Sequence, residues 1–164
     1  MQLTTFNQLP EEQALAAIAH CVAIPHWQQA LVAARPYASL AALLATGDAL
    51  ARQWQGDALQ AALAAHPRIG ERASGSDKQA TLSRGEQSAM QQADRSLQQA
   101  MQQGNQTYEA RFGRVFLIRA KGRSAEQMLA ELQRRLQNDQ QAEQQEALDQ
   151  LREITLLRLE ESIE

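Results

Sequence analysis

The stretch ALDQLREITLLR, residues 147–158, shows the spacing on which the fold depends. Ala147, Leu151, Ile154 and Arg158 follow one another at intervals of four, three and four residues, which places all four on one face of an α-helix. We therefore predict a last amphipathic helix from about residue 141 to residue 162. The stripe brings the Arg158 guanidinium to the core-facing side, although a long arginine side chain can equally extend to solvent.

Start and stop signals divide the rest of the chain into similar helical segments. Ser39 is a predicted N-cap, Ser124 with Gln127 forms a predicted capping box, and Gly104–Asn105 is predicted to end a helix. The segment FGRVFLI, residues 112–118, has strand-like composition but is too short and solitary to form a sheet. The predicted helices, in chain order, cover residues 10–24, 26–34, 39–54, 57–66, 83–103, a segment from 124, and 141–162.

The composition favours an all-α single domain over residues 1–164. Hydrophobic residues make up 44% of the chain but aromatic residues only 4%, so the core must be built mainly from small aliphatic side chains that suit close helix packing. A chain of 164 residues can bury such a core without disulfides or a structural metal. We expect a helical bundle of about seven to nine helices.

Charge and cysteine content exclude several classes of protein. The formal net charge is −3, which provides no positive field for nucleic acid. One basic cluster lacks interleaved stacking aromatic residues and is predicted to be a solvated surface feature: Arg111, Arg114, Arg119, Lys121 and Arg123. Cys21 is the only cysteine, so no intramolecular disulfide or cysteine-based zinc site is expected, and we predict a buried thiol. No targeting segment or membrane-length apolar run is evident, which predicts a soluble cytoplasmic protein that binds no membrane.

The segment HPRIGE, residues 66–71, interrupts the helical pattern and starts an irregular loop of about 15 residues. His66 follows Leu59 and Leu63 at helical spacing, so its imidazole should face inward, and Pro67 fixes where the helix ends. A lone histidine in this position can be structural. It can also be a proton-transfer group, because imidazole titrates near neutral pH.

The segment SRGEQ, residues 83–87, matches a capping box, with Ser83 at the cap and Glu86 three positions later. Glu86 also begins the apolar stripe of Met90, Ala93, Leu97 and Met101, where a carboxylate without a partner or ligand is costly. Gln87 adds a side-chain amide. With His66 and Arg158, these groups form a candidate pocket for a small anionic molecule that makes many hydrogen bonds.

Five segments together resemble the family of 2-oxo-4-hydroxy-4-carboxy-5-ureidoimidazoline (OHCU) decarboxylases of urate degradation. The resemblance runs in order through nearly the whole chain and is most specific in the combined HPxIG and SxxEQ patterns. Arg114, where family members often have an aromatic residue, and the segment QNDQQAEQQEAL depart from the family pattern. The segments are FNQLP (6–10), HPRIGE (66–71), SRGEQ (83–87), YEARFGRVFLI (108–118) and LREITLLRLEESI (151–163).

The resemblance implies an all-helical, homodimeric enzyme that needs no cofactor and produces (S)-allantoin. It implies that His66, Glu86 and Arg158 are catalytic. From the chemistry of imidazole we predict that His66 exchanges a proton with the substrate. The resemblance also implies a set of substrate-binding residues: Pro67, Ser83, Gln87, Phe116 and Ile118.

Two other functions stay open at this point. A non-catalytic helical interaction module would expose apolar residues at helical spacing and would have no small-molecule pocket. A helical hydrolase that uses His66 and Glu86 is less favoured, because no serine or cysteine nucleophile stands in a recognisable triad context.

Overall fold

The computed structural model describes residues 1–64, 66, 68, 69, 86 and 88–164. Within these residues the chain forms helices and no strand, which confirms the all-α prediction. None of the described helices is both long enough and apolar enough to cross a membrane. The helices are α1 (Leu3–Gln8), α2 (Glu11–Ile18), α3 (Pro25–Ala33), α4 (Leu40–Ala51), α5 (Gly56–Leu63), α6 (Ser88–Gln91), α7 (Arg95–Phe112), α8 (Ala125–Arg135) and α9 (Gln140–Ser162).

The chain divides into two compact units, with one boundary at the end of α5 and the other inside the long helix α9. The first unit comprises Met1–Ala62 with Arg152–Glu164, and the second comprises Leu63–Leu151. The prediction of a single domain over residues 1–164 stays a prediction.

The first unit is a packed set of helices, with α1 against α2, α2 against α3 and α3 against α4. Trp27 is fully buried and donates from its indole nitrogen to the Gly47 carbonyl at 3.0 Å. A side chain at Gly47 would approach Leu159 within 3.3 Å, so glycine allows α9 to pack closely on α4. Cys21 is buried, as predicted.

The second unit is built on the packing of α7 against α8. The predicted break at Gly104–Asn105 is wrong, because α7 runs continuously from Arg95 to Phe112. A Cβ atom at Gly104 would lie 2.5 Å from the Leu132 side chain. The glycine therefore serves close contact between two helices, and it does not end one.

Local signals place several helix ends correctly. The side chain of Ser39 caps α4, and Ser124 with Gln127 forms the complete capping box of α8. Pro10 is the N-cap of α2, which ends at Ile18 instead of continuing toward Pro25. Pro25 is the first residue of α3, where its missing N–H is not needed. The predicted helix start at Ser83 lies outside the described residues.

A buried ion pair lies in the core of the second unit, between α8 and α9. Arg135 and Glu143 are 1% and 0% exposed, and Nη2 of Arg135 lies 2.5 Å from Oε2 of Glu143. The Tyr108 hydroxyl donates to the same carboxylate. Burial, together with the adjacent Glu143 carboxylate, raises the pKa of Tyr108 above its ordinary value of 10.0. This network joins α7, α8 and α9 within the unit.

Candidate active site

His66 lies just after α5, in the second unit. Its backbone N–H donates to the Leu63 carbonyl at 3.1 Å, which continues the turn of the helix. The residue is half-buried and its Nε2 atom is buried. These positions agree with the inward orientation that the spacing from Leu59 and Leu63 predicted.

Arg68 and Ile69, which follow His66 in the sequence, are hydrogen-bonded to side chains in the middle of α7. The side-chain nitrogen of Asn105 donates to the Ile69 carbonyl at 2.6 Å. Arg68 binds the Glu109 carboxylate, with Nε 2.8 Å from Oε2 and Nη2 2.8 Å from Oε1. Neither contact is predictable from the sequence, where Gly104–Asn105 has the pattern of a helix break.

Glu86 is helical and half-buried in the second unit. The predicted continuous stripe from Glu86 to Met101 is wrong, because α6 ends at Gln91 and α7 begins at Arg95. Met90, four residues after Glu86, is fully buried in the core of the second unit. Pro67, Ser83 and Gln87 lie outside the described residues, and their predicted substrate contacts stay predictions.

Phe116 and Ile118 are 1% and 3% exposed and form part of the core of the second unit. Their segment has no regular secondary structure and is held by side chains. Arg135 donates to the Leu117 carbonyl at 2.7 Å, and its guanidinium carbon lies 4.5 Å from the centre of the Phe116 ring. The Arg119 N–H donates to Gln150 at 2.8 Å. The segment is thus fixed by polar contacts at two of its backbone groups.

Arg158 lies in the first unit and is 1% exposed, so the alternative that it extends to solvent is wrong. Its Nη1 atom donates to the His20 carbonyl at 3.1 Å. His20 in turn contacts the Ser162 hydroxyl at 2.5 Å, and that hydroxyl donates to the Arg158 carbonyl at 2.7 Å. The His20 and Ser162 contacts therefore fix the backbone and the guanidinium of Arg158 together.

Arg114, which departs from the family pattern, is half-buried instead of fully solvated. Its guanidinium carbon lies 6.0 Å from the centre of the Phe112 ring. The prediction of a solvated basic cluster is therefore correct for the exposed Arg111 and Lys121 but wrong for Arg114.

A polar cavity of about 580 Å³ lies along α7 in the second unit. Its lining includes Arg68, Arg95, Asn105 and Glu109 together with several glutamines. His66 and Glu86 are not among the described lining residues. The cavity is lined instead by Arg68 and Ile69 and by the α7 side chains that bind them. In the described part of the chain, no group of three or more His, Cys, Asp or Glu side chains has the arrangement of a metal site.

Comparison with known proteins assigns this helical architecture to a family of decarboxylases. A family model described as OHCU decarboxylase matches residues 7–160, a range that includes every candidate site residue. The chain therefore belongs to the OHCU decarboxylase family, which confirms the resemblance of its sequence motifs.

One relative is the 2-oxo-4-hydroxy-4-carboxy-5-ureidoimidazoline decarboxylase of Haloferax volcanii. It is 34% identical over 101 residues, which are 60% of this chain and 58% of the relative. The match thus spans little more than half of that protein.

Two solved structures share the fold. A crystal structure of OHCU decarboxylase in the presence of (S)-allantoin has a TM-score of 0.72 and 23% identity, over 92% of this chain and 96% of that chain. A crystal structure of (S)-allantoin synthase has a TM-score of 0.74 and 18% identity, over 99% of this chain and 54% of that one.

Proposed function

We propose that this protein decarboxylates OHCU to (S)-allantoin in urate degradation. The observation that carries the proposal is the family match over residues 7–160. The crystal structure of a relative in the presence of (S)-allantoin supports the same product.

The reaction breaks the bond between a ring carbon and its carboxylate. Carbon dioxide leaves without the bonding electrons, which enter the conjugated ring. The hydroxyl on that carbon becomes the ring carbonyl as it loses its proton. The neighbouring ring carbon gains a proton, and so does the ring nitrogen that was doubly bonded to it, so the carboxylate form of the substrate takes up one proton in total. The step balances without an oxidant or a reductant, so orientation of the substrate and control of protons are what the protein must supply.

His66 is the proposed proton-transfer group. Its ring can accept the hydroxyl proton and return one near neutral pH. A half-buried imidazole with an enclosed Nε2 atom suits this role, because exchange with bulk water is restricted there. Delivery of the proton to one face of the bound ring would give a single enantiomer.

Glu86 and Arg158 are the other proposed catalytic residues. Glu86, which is half-buried, would bind N–H groups of the ureido and ring system, and its charge would favour loss of the substrate carboxylate. Arg158 would hold an anionic or carbonyl oxygen with its planar donors. Its burial supports this role, since a guanidinium kept from water binds an anion more strongly.

Five further residues are proposed to line the substrate pocket. Phe116 and Ile118 are rigidly packed and would form its apolar wall. Pro67, Ser83 and Gln87 are proposed from the family motifs. We further propose a cytoplasmic homodimer.

The test generates the unstable substrate in place. Urate, urate oxidase and hydroxyisourate hydrolase are supplied, the protein is added, and circular dichroism follows the appearance of optically active allantoin. We expect fast growth of one enantiomer's signal, and its loss in His66→Ala. A folded wild-type protein that leaves only the slow racemic background would refute the decarboxylase.

The interaction module is disfavoured by the described surface. That alternative requires apolar side chains exposed at helical spacing, but among the described residues Met1 is the only large hydrophobic residue that is exposed, at 46%.

A further inference from the structure

The segment that follows His66 is held at two consecutive residues by one helix. Ile69 is bound through its carbonyl to Asn105, and Arg68 is bound through its side chain to Glu109. Asn105 and Glu109 are four residues apart on α7 and therefore lie on the same face, one turn apart. We call these two contacts the α7 clamp.

The Asn105 contact is the buried half of the α7 clamp. Asn105 is 4% exposed, and Ile69 is 5% exposed. A carbonyl can only accept a hydrogen bond, so the amide nitrogen of Asn105 must face Ile69. At 2.6 Å in an enclosed place, this bond fixes the backbone of Ile69 against the helix.

The second atom of the same amide shows that Asn105 is poorly suited to a purely stabilising role. Its Oδ1 atom is buried and makes no hydrogen bond within the described residues. Burial of an unsatisfied acceptor costs free energy, whereas an apolar side chain at this position would avoid that cost. The presence of asparagine at position 105 is better explained by the hydrogen bond that its side-chain nitrogen donates to the Ile69 carbonyl.

The Glu109 contact is the exposed half of the α7 clamp. Arg68 has 46% of its side chain exposed and Glu109 has 23%, so water weakens this pair. Its forked geometry nevertheless limits rotation of the segment, because two guanidinium nitrogens bind one carboxylate.

His66 lies between two fixed points. On one side its N–H is bound to Leu63 at the end of α5, and on the other side the α7 clamp begins two residues later. In the sequence, one residue separates His66 from Arg68. The position of the imidazole is therefore coupled to the side chains of Asn105 and Glu109, although neither of them needs to touch it.

We propose that Asn105 is a positioning residue for His66, and that it acts through Ile69 with help from the Arg68–Glu109 pair. The catalytic part of this inference rests on the proposed decarboxylation, whereas the effect on the position of the histidine does not. The α7 clamp orients the imidazole for proton transfer and contributes little to the affinity for substrate.

The test compares Asn105→Ala with Thr107→Ala by NMR of the histidine ring C–H groups. The chain has three histidines, so His66→Ala assigns the signal of His66. Thr107 is a matched control, because it is exposed on the same helix and its hydroxyl also donates to a backbone carbonyl, that of Gln103 at 3.1 Å. We expect Asn105→Ala to shift or broaden the His66 signal and to leave those of His20 and His26 in place. Thr107→Ala should change none of them.

Kinetics provide the second measurement, with substrate generated in place. A misplaced proton-transfer group lowers kcat by about 10- to 100-fold, whereas KM should stay within about twofold. A purely structural effect would reduce the folded fraction and leave kcat per folded molecule unchanged. An unchanged His66 signal and an unchanged kcat in folded Asn105→Ala would overturn the proposal.

Glu109→Gln keeps the proposal testable if Asn105→Ala does not fold. This variant removes only the exposed ion pair, and we expect a smaller shift of the His66 signal in the same direction. No shift of that signal would contradict the α7 clamp. If the wild-type protein lacks decarboxylase activity, the proposed function fails, but the NMR comparison still decides whether Asn105 positions His66.

Discussion

At the scale of single residues, Arg158 is fixed before any ligand arrives. Its side chain is 1% exposed and donates to the His20 carbonyl. Arg158→Lys should raise KM by about tenfold and change kcat less, since lysine keeps the charge but loses the planar donors that orient an oxygen. Steady-state kinetics with substrate generated in place will measure both constants.

The matched control for this prediction is Arg152→Lys. Arg152 lies on the same helix, is 19% exposed and pairs with Asp48 at 3.5 Å. We expect unchanged kinetics for this variant. Unchanged kinetics for Arg158→Lys as well would remove Arg158 from substrate binding.

Gly113 gives a prediction about backbone conformation alone. It ends α7 with φ of 73°, and a Cβ atom there would meet nothing within 4 Å. Gly113→Ala should therefore lower the free energy of unfolding by about 1–2 kcal/mol, because only the left-handed conformation is penalised. Urea unfolding will measure this difference, and a value near zero would show that the chain can relax at this position.

The orientation of single side chains could be predicted where a residue continues the apolar face of a helix. His66 follows Leu59 and Leu63 at helical spacing, and Arg158 follows Leu151 and Ile154. Both side chains turn inward. Asn105 could not be found in this way, because its role depends on a carbonyl 36 residues away in the chain. No local pattern contains that contact.

At the scale of helices, α8 and α9 are joined by one buried and one exposed set of charges. In the buried set, Glu143→Gln would leave the Arg135 guanidinium without its counter-charge and should destabilise the protein by about 3–5 kcal/mol. The control is Glu131→Gln, which removes the exposed pair of Glu131 with Arg134 on α8 and should lower the free energy of unfolding by less than about 1 kcal/mol. Urea unfolding measures the loss of stability in both variants. Equal losses in the two variants would mean that burial does not govern the contribution of these pairs.

In the exposed set, Arg134 pairs with Glu131 and Glu146, and these pairs should make the stability of the protein depend on pH. Hydrogen bonds from Arg134 lower the pKa of Glu131 and of Glu146 below their ordinary value of 4.5. Carboxylates with a lowered pKa stabilise the folded state above about pH 4.5, and this contribution is lost as the pH falls through the lowered values.

Arg134→Gln should thus reduce the free energy of unfolding by up to about 1 kcal/mol at neutral pH, because both pairs are partly screened by water. The difference from wild type should shrink as the pH falls below 4.5. Urea unfolding over this range measures it, and a difference that stays constant with pH would contradict the assignment.

Helix ends could be predicted where the cap lies next to the helix in sequence, as at Ser39 and Ser124. The break at Gly104 was wrongly predicted, because glycine has two uses that a sequence does not distinguish. It can end a helix, or it can admit a neighbouring side chain, and here the Leu132 side chain occupies the space. The choice depends on packing with α8, which lies 20 or more residues further along the chain.

At the scale of the whole molecule, the fold class followed from composition. A chain with 44% hydrophobic but only 4% aromatic residues fills its core with small side chains, and close helix packing is the arrangement that suits them. The division into two compact units was not predicted, because the residues on both sides of the boundary in α9 have one continuous helical pattern.

That continuity predicts cooperative unfolding of the two units. Residues of α9 up to Leu151 belong to the second unit and those from Arg152 belong to the first, so loss of helix in either one removes hydrogen bonds at the junction. Both tryptophans, Trp27 and Trp54, lie in the first unit, whereas far-UV circular dichroism reports the helices of both. The two signals should give coincident urea transitions in the wild-type protein.

Glu153→Pro tests the cause of this coupling. Proline in the interior of α9 removes a backbone hydrogen bond, clashes with the preceding turn and costs about 3 kcal/mol. We expect the fluorescence and circular dichroism transitions to separate in this variant and to stay together in Glu153→Ala, which keeps the helix. Transitions that are already separate in the wild-type protein would show that α9 does not couple the units. Transitions that stay coincident in folded Glu153→Pro would show that the coupling does not depend on continuity of the helix.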